Sequence, residues 1–154
     1  MLHSQINCLI FDSCNALFTE LESGLKTSEE QDQALEIVAI CENESDLKIE
    51  EIKNEPFEGQ FRVRLFNEFE LNGIIRKHPC FTIALDYNNK RAEVLSFESN
   101  LYPPIKLDAY TVHKGTKYTN VVAKNDLKTL CENWLKQLKE LNYRPQWNEN
   151  SQTA

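Results

Sequence analysis

The last third of the chain constrains the fold most. Phe81, Ile83 and Leu85 alternate with Thr82, Ala84 and Asp86, and Ala92, Val94 and Ser96 return after Asn88-Asn89, two residues that tolerate positive φ. This period of two predicts a β-hairpin from Pro79 to Phe97. Beyond Pro103-Pro104 the period becomes that of a helix. Leu127, Leu130, Cys131, Trp134, Leu135, Leu138 and Leu141 share one face, which predicts an amphipathic helix from Asp126 to Leu141 with Asn125 as its N-cap. A hairpin and a one-faced helix bury their apolar sides against each other, so the fold class is α+β.

The rest of the chain extends this frame. Ile6, Leu9, Ile10, Cys14, Leu17 and Leu21, widened by Phe11 and Phe18, predict a helix from Ser4 to Ser23 that ends at Gly24. Leu35, Ile37, Ala39 and Cys41 then alternate as a strand, and the polar run Glu42 to Asp46 reads as a turn. Leu47, Ile49 and Glu51 begin a second strand, with a bulge expected at Ile52. After a turn between Pro56 and Gly59, Phe61, Val63 and Leu65 alternate with Arg62 and Arg64 as a strand buried on one face. Asn67 to His78, interrupted by Gly73, reads as a short edge strand plus loop. Lys106 to Val122 reads as one irregular strand through Leu107, Ala109 and Thr111. The expected whole is a single α+β domain over residues 1–143. Its antiparallel sheet of four to six strands is packed by an N-terminal and a C-terminal helix on the same face, and residues 144–154 form a flexible polar tail.

Composition narrows the functional classes. A chain of 154 residues with 41% hydrophobic side chains can build one core. The five cysteines (Cys8, Cys14, Cys41, Cys80, Cys131) are scattered without CxxC spacing, and His3, His78 and His113 form no ligand pair. Reduced thiols, no metal and no cofactor are therefore expected, with the cytoplasm as location. No apolar run approaches the roughly 20 residues of a membrane span. Met1 to Gln5 lacks the basic start of a secretory leader.

Charge is split along the chain. Residues 1–60 hold 14 Asp/Glu against 3 Lys/Arg, a net of −11, whereas residues 61–154 hold 10 against 14, a net of +4. No Lys/Arg stripe is free of interleaved acids, so nucleic acid is not an expected partner. The acidic half instead suggests docking to another protein, one of basic character.

Helix, strands, hairpin, Tyr-Pro segment and final helix follow an order that resembles the YqiB-like family of uncharacterised bacterial proteins. The carrying residues are Pro79-Cys80-Phe81-Thr82-Ile83, Asp86-Tyr87-Asn88-Asn89 and Arg91-Ala92-Glu93-Val94. Tyr102-Pro103 and Leu130-Cys131-Glu132-Asn133-Trp134-Leu135 are similar to the family's later features. The resemblance covers residues 47–141 and implies a fold rather than an activity. One departure stands out. Thr111 to Lys117 keeps a histidine of the family's polar stretch before the last helix, but not its acidic partner.

No catalytic constellation is present in the sequence. The expected function is a non-catalytic protein-binding or adaptor module, with Phe66, Phe69 and Leu71 on the edge segment as candidate partner contacts. The alternative is a small-ligand-binding protein or minor enzyme with a pocket near Tyr110 and His113, where Lys114 and Lys117 supply charge for an anion. His78 reads as a satisfied turn residue, and Glu93 as solvated or paired with Lys90 or Arg91. Asp12 reads as a solvated residue at the edge of the first helix. Trp134 is expected in the core.

Overall fold

A computed structural model describes residues 34–52, 61–86, 91–101, 103–141 and 143–145. The expected helix from Ser4 to Ser23, with Asp12, and the turns at Pro56–Gly59 and Asn88-Asn89 lie outside the described residues. The alternating segments form β1 (Glu36–Ile40), β2 (Asp46–Ile52), β3 (Phe61–Leu71), β4 (Ile74–Asp86), β5 (Arg91–Ser99) and β6 (Ile105–Asp108). Each strand pairs antiparallel with the next, a meander, and a two-residue strand β9 (Arg144–Pro145) adds to the free edge of β1. Ala39, Leu47, Ile49, Val63, Leu65, Phe81, Ile83, Leu85 and Val94 are buried in one cluster on one face of the sheet, as the period of two requires.

Three expectations need correction here. Asn67 to His78 is no edge segment but the far half of the longest hairpin, β3–β4. Asn72 (φ 54°) and Gly73 (φ 78°) form its two-residue turn, the Asn-Gly pair whose double positive φ matches the strand twist. β2 runs through Ile52 with an unbroken register, so no bulge falls there. The irregularities lie in β4, where His78 and Pro79 together oppose Asn67, and in β5 at Leu95. A bulge is where a strand tolerates proline, because no ladder N–H is required of it. Finally, Arg144 and Pro145 pair with Ile40 and Ala39 rather than starting a free tail.

The helix α1 (Val121–Glu140) begins one turn earlier than expected. Its N-cap is Asn120, whose Oδ1 accepts from the Ala123 N–H at 3.1 Å, and Asn125 lies inside the helix. Its length has a simple cause. α1 connects the β6 side of the sheet to β9 on the opposite edge, six inter-strand steps away, or about 29 Å. Twenty helical residues span about 30 Å, so the helix bridges the sheet from edge to edge. Ala123, Leu127, Cys131, Trp134, Leu135 and Leu138 face the strands, while Leu130, expected on that face, is exposed.

Trp134 anchors the helix where its sequence position predicts. Its ring lies 5.4 Å from Phe81, and Phe81 lies 5.2 Å from Phe97. The indole N–H donates to Asn67 Oδ1 at 3.3 Å. Asn67 Nδ2 in turn lies 3.2 Å from the Tyr143 hydroxyl, which donates to the Ser45 carbonyl at 2.7 Å. One buried amide therefore ties β3, α1, the chain before β9 and the β1–β2 turn together, and leaves none of these polar groups stranded.

Candidate functional site

Expected as one irregular strand, Lys106 to Val122 instead divides at Ala109. The Leu95 carbonyl at the β5 bulge accepts from the Ala109 N–H, and the Ala109 carbonyl accepts from the Asn120 N–H, both at 2.9 Å. Ala109 is fully buried at this junction. Beyond it the chain leaves the sheet as a separate hairpin of β7 (Tyr110–His113) and β8 (Thr116–Thr119). Lys114 (φ 51°) and Gly115 (φ 77°) form its turn, again with two positive φ values. Every residue from Thr111 to Asn120 is exposed.

One side chain moors this ribbon to the body. The Tyr110 hydroxyl donates to Glu93 on β5. Lys124, in the first turn of α1, places Nζ 3.3 Å from that hydroxyl and 3.5 Å from the Glu93 carboxylate. Lys117 Nζ stands 3.9 Å from the centre of the Tyr110 ring, a cation–π contact. Burial, reinforced by the Glu93 acceptor, holds the phenol above its ordinary pKa, so it stays a neutral donor. Burial opposes the Lys124 charge, but the Tyr110 oxygen and Glu93 outweigh it and raise its pKa.

The four candidate ligand residues are thus divided. Tyr110 and Lys117 meet on one face of the ribbon, as Tyr110↔Thr119 and Val112↔Lys117 are opposed across it. His113, opposite Thr116, alternates onto the other face, and Lys114 sits in the turn. Sequence reasoning missed Glu93 and Lys124. Glu93 lies between buried Ala92 and Val94 and reads as solvated or paired with Lys90 or Arg91, yet it is half-buried and faces Lys124. With Asn125 taken as the cap, Lys124 read as loop; Asn120 as cap would have set it on the first turn. Two cavities of about 460 and 540 Å³ lie elsewhere, and neither is lined by Tyr110 or His113.

Of the candidate partner contacts, Phe66 is fully buried, Phe69 is half-buried and Leu71 is exposed beside Ile74 and Ile75 at the tip of β3–β4. Phe66 therefore offers no surface to a partner. Cys41, Cys80 and Cys131 are free thiols. Among the described residues no group of three His, Cys, Asp or Glu is placed to hold a metal, and no helix is long and apolar enough to cross a membrane. No family model matches the chain, and no curated protein and no solved structure matches it.

Proposed function

We propose that the protein is a non-catalytic protein-binding module that engages its partner through the β7–β8 hairpin. The observation that carries this reading is the exposure of the hairpin on both faces. Val112 and Tyr118 are 73% and 51% exposed, and Val121 and Val122 at the adjoining helix start are 65% and 71% exposed. A two-stranded ribbon is marginally stable in water, and β-branched and aromatic side chains gain from being covered. Ala109 to Asn125 contains Lys114, Lys117 and Lys124 and no acid. The surface it presents is apolar and basic, which favours an acidic partner here. The basic partner suggested by the front-half charge belongs instead at the β1–β2 edge, where residues 34–52 carry Glu36, Glu42, Glu44, Asp46, Glu50 and Glu51 against Lys48 alone. We also propose that the YqiB-like resemblance reflects a shared hairpin-and-helix frame, since Ala92-Glu93-Val94 falls on β5 and Leu130 to Leu135 on α1.

The test is a photo-crosslinking residue placed at Tyr118, with Lys136 on the exposed side of α1 as control position. The expected outcome is one discrete protein adduct at Tyr118, lost on Val112→Asp and weakened by salt. Adducts at Lys136 alone, or adducts unaffected by Val112→Asp, would reject the hairpin as the contact.

A further inference from the structure

The sheet face away from α1 carries a second constellation that the protein-binding reading leaves unused. Ladder register sets Lys48, Phe66, Cys80, Glu98 and Lys106 in one row across β2 to β6. Directly opposed residues project to the same face. Phe66 and Cys80 are buried yet stand apart from the helix-side core. Beside them opens a cavity of about 460 Å³, within the size range of small-ligand sites. Among the described residues, Arg64, Lys77 and Lys106 line it with one acid, Glu98.

We propose that this cavity binds a small dianion, a phosphate monoester or a dicarboxylate. Among the described lining residues three cations face one carboxylate, an excess of positive charge that a dianion would match. The acids near the cations hold them loosely. Arg64 lies 3.8 Å from Glu50 in a half-buried pair, and Lys106 lies 3.7 Å from Glu98 in an exposed one. Such pairs contribute little and yield readily to a ligand that hydrogen-bonds the guanidinium in a bidentate way. Among the described residues no carboxylate pairs with Lys77. Its Nζ sits 4.7 Å from the centre of the Phe66 ring, held at the cavity rim. Its backbone is fixed as well, because its N–H donates to Asn100 Oδ1 at 2.8 Å while Asn100 Nδ2 donates to the Ile75 carbonyl. The Asn100 side chain thus continues the ladder past the end of β5. Burial pushes the Cys80 thiol up to about 11, so it stays neutral and adds no negative charge to the site. The cations come from β3, β4 and β6, so strand pairing fixes their backbone spacing and only the side chains shift as a ligand replaces Glu50 and Glu98.

The proposal is tested by titration calorimetry of the full chain with glycerol 3-phosphate and with succinate, against succinamide at matched ionic strength. Saturable binding of either dianion, with none of succinamide, is expected. Binding of one alone identifies which dianion the site reads, and binding of both shows that double charge is what it recognises. Arg64→Ala and Lys77→Ala should each weaken binding at least tenfold, and Lys136→Ala should not change it. Should either variant unfold, Lys106→Ala on the edge strand serves in its place, with a smaller loss expected. No saturable binding of either dianion, or binding that survives these substitutions, would overturn the proposal.

Discussion

Hairpins β3–β4 and β7–β8 close on the same kind of turn and meet opposite fates. Asn72-Gly73 and Lys114-Gly115 have nearly equal backbone angles, with φ values of 54° and 78° against 51° and 77°. The first hairpin is the centre of the sheet and carries Val63, Leu65, Phe81 and Ile83 into the core. The second buries almost nothing beyond Tyr110 at its base. Turn chemistry therefore selects a hairpin but not its environment. What separates the two is neighbouring strands on both edges and a helix on one face, supplied by distant parts of the chain.

The sharpest way to break the comparison is to truncate an apolar side chain in each hairpin. Phe81→Ala should cost about 3–5 kcal/mol, the range for deleting a packed core aromatic. Val112→Ala should stay within about 0.5 kcal/mol, as for a surface substitution. Urea denaturation of both variants measures this, and comparable losses would mean that the second hairpin is covered in solution. Trp134→Ala should match Phe81→Ala, because the two rings share one contact.

Next in size is the polar centre. Asn67→Leu should lose about 1–3 kcal/mol, since the Trp134 N–H then lacks its acceptor in a buried site. A stability equal to the parent would show that water enters to replace the amide.

The turns sharpen the contrast further. Alanine at either turn glycine meets open space but a strained positive φ, worth about 1 kcal/mol. Gly73→Ala should lower the global urea midpoint. Gly115→Ala should leave it unchanged and appear only as faster amide exchange from Thr111 to Thr119, because that hairpin opens locally. A global loss from Gly115→Ala would join the two hairpins into one cooperative unit.

The smallest effect is a pH dependence carried by β4. Burial holds the His78 imidazole below its ordinary value of 6.5, with Nδ1 2.8 Å from Ser99 Oγ. The unfolded chain takes up the proton more readily, so the stability contributed by neutral His78 is present above pH 6.5 and falls as the pH drops below it. His78→Gln should flatten the stability profile between pH 7 and about 5 (one to two units around the ordinary pKa). An unchanged slope would assign that dependence to other groups.

Much of this fold was legible from residue spacing. Leu35, Ile37, Ala39 and Cys41 share the inner face of β1, and Trp134 lies in the core, because periods of two and 3.6 follow from backbone geometry alone. The Asn72-Gly73 pair carries a hairpin-turn signal, but Gly73 and the following Pro79 read as breaks, which hid the two strands that the turn joins. The cap at Asn120 was hidden by Val121 and Val122, which read as strand until the Ala109 carbonyl is seen to accept from the Asn120 N–H. For the candidate site, the Tyr110–Lys117 contact follows from a two-residue turn at Lys114-Gly115. Glu93 and Lys124, far apart along the chain, meet there only because the β5 bulge turns Ala109 inward.

Residue spacing alone marks most of the strands, the helix and the apolar side of each, since these depend on neighbours within a few residues. Burial of Phe66 and Cys80 on the second face, exposure of the β7–β8 hairpin and the meeting of Arg64, Lys77 and Lys106 at one cavity arise from long-range contacts instead. Period two marks two faces of a strand without saying what will cover either one. That choice rests on register and on the edge-to-edge reach of α1, which are set by contacts between residues distant in sequence.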